Sequence, residues 1–152
     1  MSIPENSPAE PDPAARRRWM RLFALADAGR LRSAAEGIDA VRLLRAPEIG
    51  LAMVRGRIGG GGAPFNLGEV PVTRCSVALA NGVVGHAYLA GRDREKARAA
   101  AILDALMQTE AAPAIERELL TPLEAEIRRR DANRNAKVAA TRVDFFTLVR
   151  GD

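Results

Sequence analysis

The sequence predicts an α+β fold: a small antiparallel β-sheet, an N-terminal helix, C-terminal helices and a final extended, β-prone tail. Three observations predict it. Asn81-Gly82 lies between two β-prone runs and is the strongest hairpin signal in the chain, because a type I′ turn needs positive φ at both central residues. Trp19, Leu22, Phe23 and Ala26 recur at helical spacing on one face. Ala99, Ile102, Leu103, Leu106 and Met107 form a second helical stripe.

In chain order, residues 1–13 hold four prolines and no apolar periodicity, and read as a disordered tail. Residues 14–152 then read as one domain. Ala14 to Ala28 is a helix with Gly29 as its C-cap, and its Arg16, Arg17, Arg18 and Arg21 read as a solvated face. Leu31 to Glu36 is a short second helix ended by Gly37. Val41 to Arg45 and Ile49 to Ile58 read as two strands parted by Ala46-Pro47. Val70 to Leu79 is a third, with Pro71 marking an edge or a bulge, and Val83 to Leu89 returns after the turn.

Gly91 to Ala112 reads as a long helix with Asp93 as N-cap. Arg92, Arg94, Lys96 and Arg98 crowd its start, where positive charge opposes the macrodipole. Asp104 falls in its apolar stripe, and either pairs with an arginine or is exposed. Pro113 breaks the helix. Thr121-Pro122-Leu123-Glu124 then gives a capping signal for a new one. Residues 122–140 form a polar helical arm with a thin stripe of Leu123, Ile127 and Val138. Residues 141–152 are apolar and β-prone, so they should dock on the chain's own sheet or on a partner; Arg142, Asp144, Phe145 and Phe146 are the candidate contacts.

The whole chain bounds the function only loosely. Its 152 residues suffice for a real core, and 4% aromatics means a core of Leu, Val, Ile and Ala. The net charge of +4, almost all from arginine, fits an anionic ligand, nucleic acid or an acidic partner. Cys75 is the only cysteine, so no internal disulfide forms. No secretory signal or apolar membrane span is visible, and the expectation is a cytoplasmic protein. His86 is the only histidine, and reads as structural or partner-facing rather than as a metal ligand.

The most distinctive stretch runs from Arg55 to Arg74. Gly59 to Gly62 form a permissive loop, which lets backbone N–H groups approach another molecule. Arg55, Arg57, Gly59, Gly60, Phe65, Asn66, Glu69 and Arg74 are the candidate anion or partner contacts. No Lys-Ser/Thr follows the glycines, so this is not a Walker loop, and the strand after it does not suit a dinucleotide fingerprint. A plain connecting loop, a partner contact and an anion site all remain open. No nucleophile–base pair, metal cluster or iron–sulfur motif stands out, which points to a binding or assembly subunit.

Several stretches resemble the G subunit of the carbon–phosphorus lyase core complex, the PhnG family. They are Arg45-Ala-Pro-Glu-Ile-Gly-Leu51, the loop from Arg57 to Glu69, Val72-Thr-Arg-Cys75, and the ending Arg142-Val-Asp-Phe-Phe-Thr147. Gly91-Arg92, Leu103-Asp-Ala-Leu-Met-Gln108 and Thr121-Pro-Leu123 continue the likeness in the same order. The resemblance implies an accessory role in bacterial phosphonate breakdown. Its partners would be the H, I and J subunits, and the L type, in a two-fold symmetric assembly. That assembly would move ribose 5-triphosphate from ATP to an alkylphosphonate and release adenine. The resemblance places S-adenosylmethionine and an iron–sulfur cluster on the J subunit, and no catalytic residue, cofactor or metal on this chain. Two alternatives are a stand-alone phosphate-ester binder and a basic nucleic-acid-binding domain. The latter would want aromatics interleaved with basic residues on a sheet, and Tyr88 alone does not supply that.

Overall fold

A computed structural model describes residues 11–38 and 41–141. The chain runs α1 (Pro13–Leu25), α2 (Ala28–Ala34), β1 (Val41–Arg57), β2 (Pro64–Leu79), β3 (Val84–Ala90), α3 (Arg94–Leu106), α4 (Ala112–Ile115) and α5 (Thr121–Ala140). One antiparallel sheet has the order β1-β2-β3, and helices cover one of its faces. The α+β expectation holds.

Local chemistry sets most element ends. Asp12 caps α1, its carboxylate accepting from the Ala14 and Ala15 amides, and Pro13 occupies the first turn. The helix therefore starts inside the stretch read as a disordered tail; residues 1–10 lie outside the described residues. It also ends early, at Leu25, because Asp27 accepts from the Arg30 amide and starts α2. Gly29 is inside α2 and is not a cap. Asp93 caps α3 as expected.

The hairpin between β2 and β3 is present, but its turn is not type I′. Gly82 has φ of +85°, and no other residue type has positive φ among the described residues. The loop has three residues, Ala80 to Gly82, with its left-handed residue last, and Asn81 Oδ1 accepts from the Val83 amide.

Val41 to Arg57 is one strand rather than two. Register shifts between Leu43 and Glu48 absorb two extra residues, so Ala46-Pro47 becomes an irregularity in an edge strand instead of a break. β2 likewise begins at Pro64, not at Val70. The helical half also differs. α3 ends at Leu106, and Pro113 helps to start α4. Thr121 is fully helical, so the expected cap does not form. A π turn over Glu116–Leu120 joins α4 to α5. Its wider bore accommodates Pro122, which has no N–H and would crowd the carbonyl four residues back.

The core lies between the helices and one face of the short end of the sheet. Cys75, Val77, Ala87 and Leu89 meet Trp19, Leu22, Phe23, Leu31, Ile102 and Leu103. α3 can approach closely because Ala97, Ala99, Ala100, Ala101 and Ala105 make it thin. At Gly85 the strand touches the helix backbone: a Cβ there would stand 2.0 Å from the Ala101 carbonyl oxygen. α5 is anchored by Leu123 and Ile127 alone; from Arg128 to Thr141 none of its residues is buried. The tail 142–152 lies outside the described residues.

Candidate functional site

Two places concentrate chemistry: a buried carboxylate, and a long exposed ribbon. Asp104 is 0% exposed. It accepts from Arg16 Nη2 at 2.6 Å and Nε at 3.2 Å, from Trp19 Nε1 at 2.8 Å and from the His86 amide at 2.8 Å. Of the two expectations for Asp104, arginine pairing is the one realised. Burying a charge is tolerable only with such complete pairing. One carboxylate thereby ties α1, α3 and β3 together. Arg18 is also paired rather than solvated, bridging Glu116 and Glu124 at 2.9 and 2.7 Å.

Ser76 Oγ stands 2.8 Å from His86 Nδ1, and Asp104 on α3 is nearby. The residue types suggest a triad, but the geometry does not. Asp104 holds the backbone N–H of His86 and not its ring, so it cannot orient the imidazole. Among the described residues, no three of His, Cys, Asp and Glu come together to hold a metal ion.

The ribbon consists of β1 and β2 beyond the helical layer. Arg57 pairs with Pro64 at its far end and Glu48 with Arg74 at its base. Nine residue steps along β1 make it ~30 Å long. No residue from Val41 to Pro71 is buried. Leu51 is 63% and Met53 53% exposed, and Ile58 and Leu67 more so. At the tip, Gly59 and Gly60 have φ of +61° and +77°, which side chains disfavour. Gly62 donates its amide to the Ile58 carbonyl and leaves no room for a Cβ. Arg57 braces the tip by donating to the Gly62 carbonyl at 3.3 Å.

The candidate contact residues separate here. Arg55 and Arg57 share a face with Ile49, Leu51 and Met53, since side chains alternate. Asn66 stands opposite Arg55, and Glu69 opposite Met53. Phe65 stands opposite Gly56 with its ring against it: a Cβ on that glycine would lie 3.4 Å from the ring. Arg74 is not near the tip. It lies ~30 Å away at the base, where Glu48 Oε1 accepts from Arg45 and from Arg74 at 2.5 Å each. Hydrogen bonds first from Arg45, then from Arg74, hold the Glu48 carboxyl below the usual carboxylate range. That cluster went unseen because two bulges in β1 set the register. Beside it a groove of about 230 Å³ is lined by Glu48, Gly50, Leu51, Val72, Arg74 and Tyr88. Arg142, Asp144, Phe145 and Phe146 lie outside the described residues.

Comparison with known proteins covers nearly the whole chain. The family model described as "Phosphonate metabolism protein PhnG" matches residues 14–151. The alpha-D-ribose 1-methylphosphonate 5-triphosphate synthase subunit PhnG of Rhizobium meliloti (strain 1021) is 50% identical over 142 residues, spanning 91% of this chain and 91% of that protein.

Proposed function

The chain belongs to the PhnG family of phosphonate metabolism proteins, and on that premise we propose that it is an assembly subunit of a ribose 1-methylphosphonate 5-triphosphate synthase. The observation that carries this reading is the 50% identity, across nearly all of both chains, to a subunit of that name. The reaction assigned to the assembly moves ribose 5-triphosphate from ATP to an alkylphosphonate and releases adenine. H, I, J and L types of subunit are the partners in this reading, in the cytoplasm. S-adenosylmethionine and an iron–sulfur cluster serve the later bond-breaking step on the J type. This chain contributes surface rather than reacting groups.

The ribbon supports an assembly role. A two-stranded hairpin is marginal alone in water, and large exposed apolar patches mark interaction sites. Arg55 and Arg57, beside the tip glycines Gly59 and Gly60, are the residues assigned to an acidic or phosphate-bearing partner group. The test is reconstitution with the H, I and L subunits, ATP and methylphosphonate, following adenine by chromatography. Omitting this chain should abolish adenine release, and this chain alone should release none. Full activity without it, or turnover by it alone, overturns the reading. Arg57→Glu should weaken assembly while leaving the circular dichroism spectrum unchanged.

A further inference from the structure

We propose that the groove at the base of the ribbon is a binding site for a small organic phosphate or phosphonate, with Arg74 and Tyr88 as its contacts. Such a site is additional to the synthase reading and does not depend on it.

The sheet's register builds the site. Helices cover the face that carries Cys75, Val77, Ala87 and Leu89. The residues that alternate with them, Arg74, Ser76, His86 and Tyr88, therefore lie on the open face. Across that face Glu48, Arg74 and Tyr88 stand in one row. Gly50 and Val72 stand in the next row toward the tip. The groove of about 230 Å³ takes its lining from both rows. Gly50 supplies the room, because a Cβ there would meet nothing within 4 Å.

The donors select the ligand. Glu48 Oε1 takes Nη1 of Arg45 and only Nε of Arg74. Among the described residues, both terminal nitrogens of Arg74 are thereby left to donate. A planar guanidinium fork matches the oxygens of a phosphate or phosphonate head. Two arginines against one carboxylate leave one positive charge for it. Arg45 makes the exchange workable. When Arg74 turns to an incoming anion, Arg45 still neutralises Glu48, so no bare carboxylate faces the ligand. Tyr88 is 57% exposed, and its hydroxyl can donate to a further oxygen of the head. Its ring and Val72 offer an apolar wall to the body joined to that head. Size limits the body. Drug-sized ligands fill roughly 300–1,000 Å³. A groove of about 230 Å³ takes an anionic head with a short alkyl or sugar body, and not a whole nucleotide.

The experiment is a nuclear magnetic resonance titration of the full labelled chain at fixed ionic strength, since salt screens exposed charges. The probes are methylphosphonate, ribose 5-phosphate, inorganic phosphate and acetate. Both organic probes should give saturable shifts at the Arg74 side chain and at the amides of Gly50 and Val72. The tighter of the two tells whether the body is alkyl or sugar. Inorganic phosphate should bind more weakly, and acetate should give no saturable shift. Arg74→Gln should weaken binding by roughly tenfold or more, because hydrogen bonds between charged groups are the strong ones. Glu48→Gln should tighten it severalfold by removing the competing anion. Gly50→Val fills the groove with a strand-favouring side chain, leaves Arg74 and Glu48 in place, and should abolish binding. Arg57→Gln, at the far tip, should change nothing. The dispersion of each variant's spectrum reports whether it is folded. No saturation with either organic probe overturns the proposal, as does acetate matching them. Inorganic phosphate binding as tightly as both overturns the organic body. Binding indifferent to Arg74→Gln and Gly50→Val removes the groove as the site. A failed titration beside intact adenine release in reconstitution overturns this inference and leaves the synthase reading standing.

Discussion

β3 and β1 are the two edges of one sheet, and the chain finishes them differently. At β3, Asp104 accepts from the His86 amide, Gln108 donates to the Val84 carbonyl at 2.9 Å, and α1 brings Met20 and Phe23 alongside. Backbone groups that would template another strand are consumed by side chains of the helical layer. At β1 nothing comparable happens among the described residues: from Ile49 to Arg57 none is buried. The difference marks β1 as the edge that the described residues leave open to pairing. Sealing one edge while leaving nine residues of the other open is costly unless something covers the open one.

The largest expected effect breaks the sealed side. Asp104→Ala removes the anion that Arg16, Trp19 and the His86 amide share. Losing one partner of a buried pair typically costs about 3–5 kcal/mol. Denaturant melts should show that loss, and a cost below about 1 kcal/mol would mean that Asp104 does not hold the β3 edge. Gly85→Ala comes next. Its methyl group would drive β3 off α3, a mismatch worth about 1–3 kcal/mol in overpacked cores. Stability equal to the parent would show that strand and helix are not in backbone contact.

This contrast explains what was legible in the sequence. α1, α3 and the β2–β3 hairpin were readable because each is specified locally, by periodicity, by a cap or by a turn residue. The ribbon was not, because β1–β2 pairing joins residues far apart in the chain. Pro47 and Pro113 both looked like breakers; one sits in a bulged edge strand and the other starts a helix. Thr121-Pro122 looked like a cap because a π turn leaves no sequence signal. Parity alone placed Arg55 and Arg57 on one face, but it carried no register, so Arg74 was expected near the tip. Asp104 was noticeable as an acid in an apolar stripe, while its partners on α1 and β3 were not predictable.

A smaller effect is electrostatic and differs between the two regions in salt sensitivity. Glu48 on the ribbon base and Glu124 on the helical side both have carboxyls held below the usual range, by Arg45 then Arg74, and by Arg18. Depressed folded values mean that each contributes stability fully above the unfolded carboxylate value, about 4.3, and loses it as pH falls through the folded value. Unfolding midpoints should therefore drop modestly on acidification below about pH 4. Glu48→Gln and Glu124→Gln should each flatten that drop. High salt should erase the Glu48 share first, because both its arginines are about half exposed. An acid limb unchanged in both variants would show that these pairs add nothing.

The smallest expected effect lies on the ribbon, and it is the sharpest check on the comparison. Leu67 is the extra residue of β2 opposite Val54, is 65% exposed, and stands on the face away from Leu51 and Met53. It therefore takes no part in the open edge of β1. Leu67→Ser removes an apolar side chain that the chain itself does not bury, so its stability should stay within about 0.5 kcal/mol of the parent. Phe23→Ala, by contrast, empties a fully buried site and should cost about 3–5 kcal/mol. Hydrogen exchange should draw the same line within one strand: the amides of Val72 to Leu79 protected, those of Phe65 to Val70 exchanging through local opening. Pro71 marks the boundary, where β3 ends and β2 keeps a single neighbour. A Leu67→Ser cost above about 1 kcal/mol, or uniform protection along β2, would show that the ribbon is packed within its own chain. The open edge would then be ordinary surface.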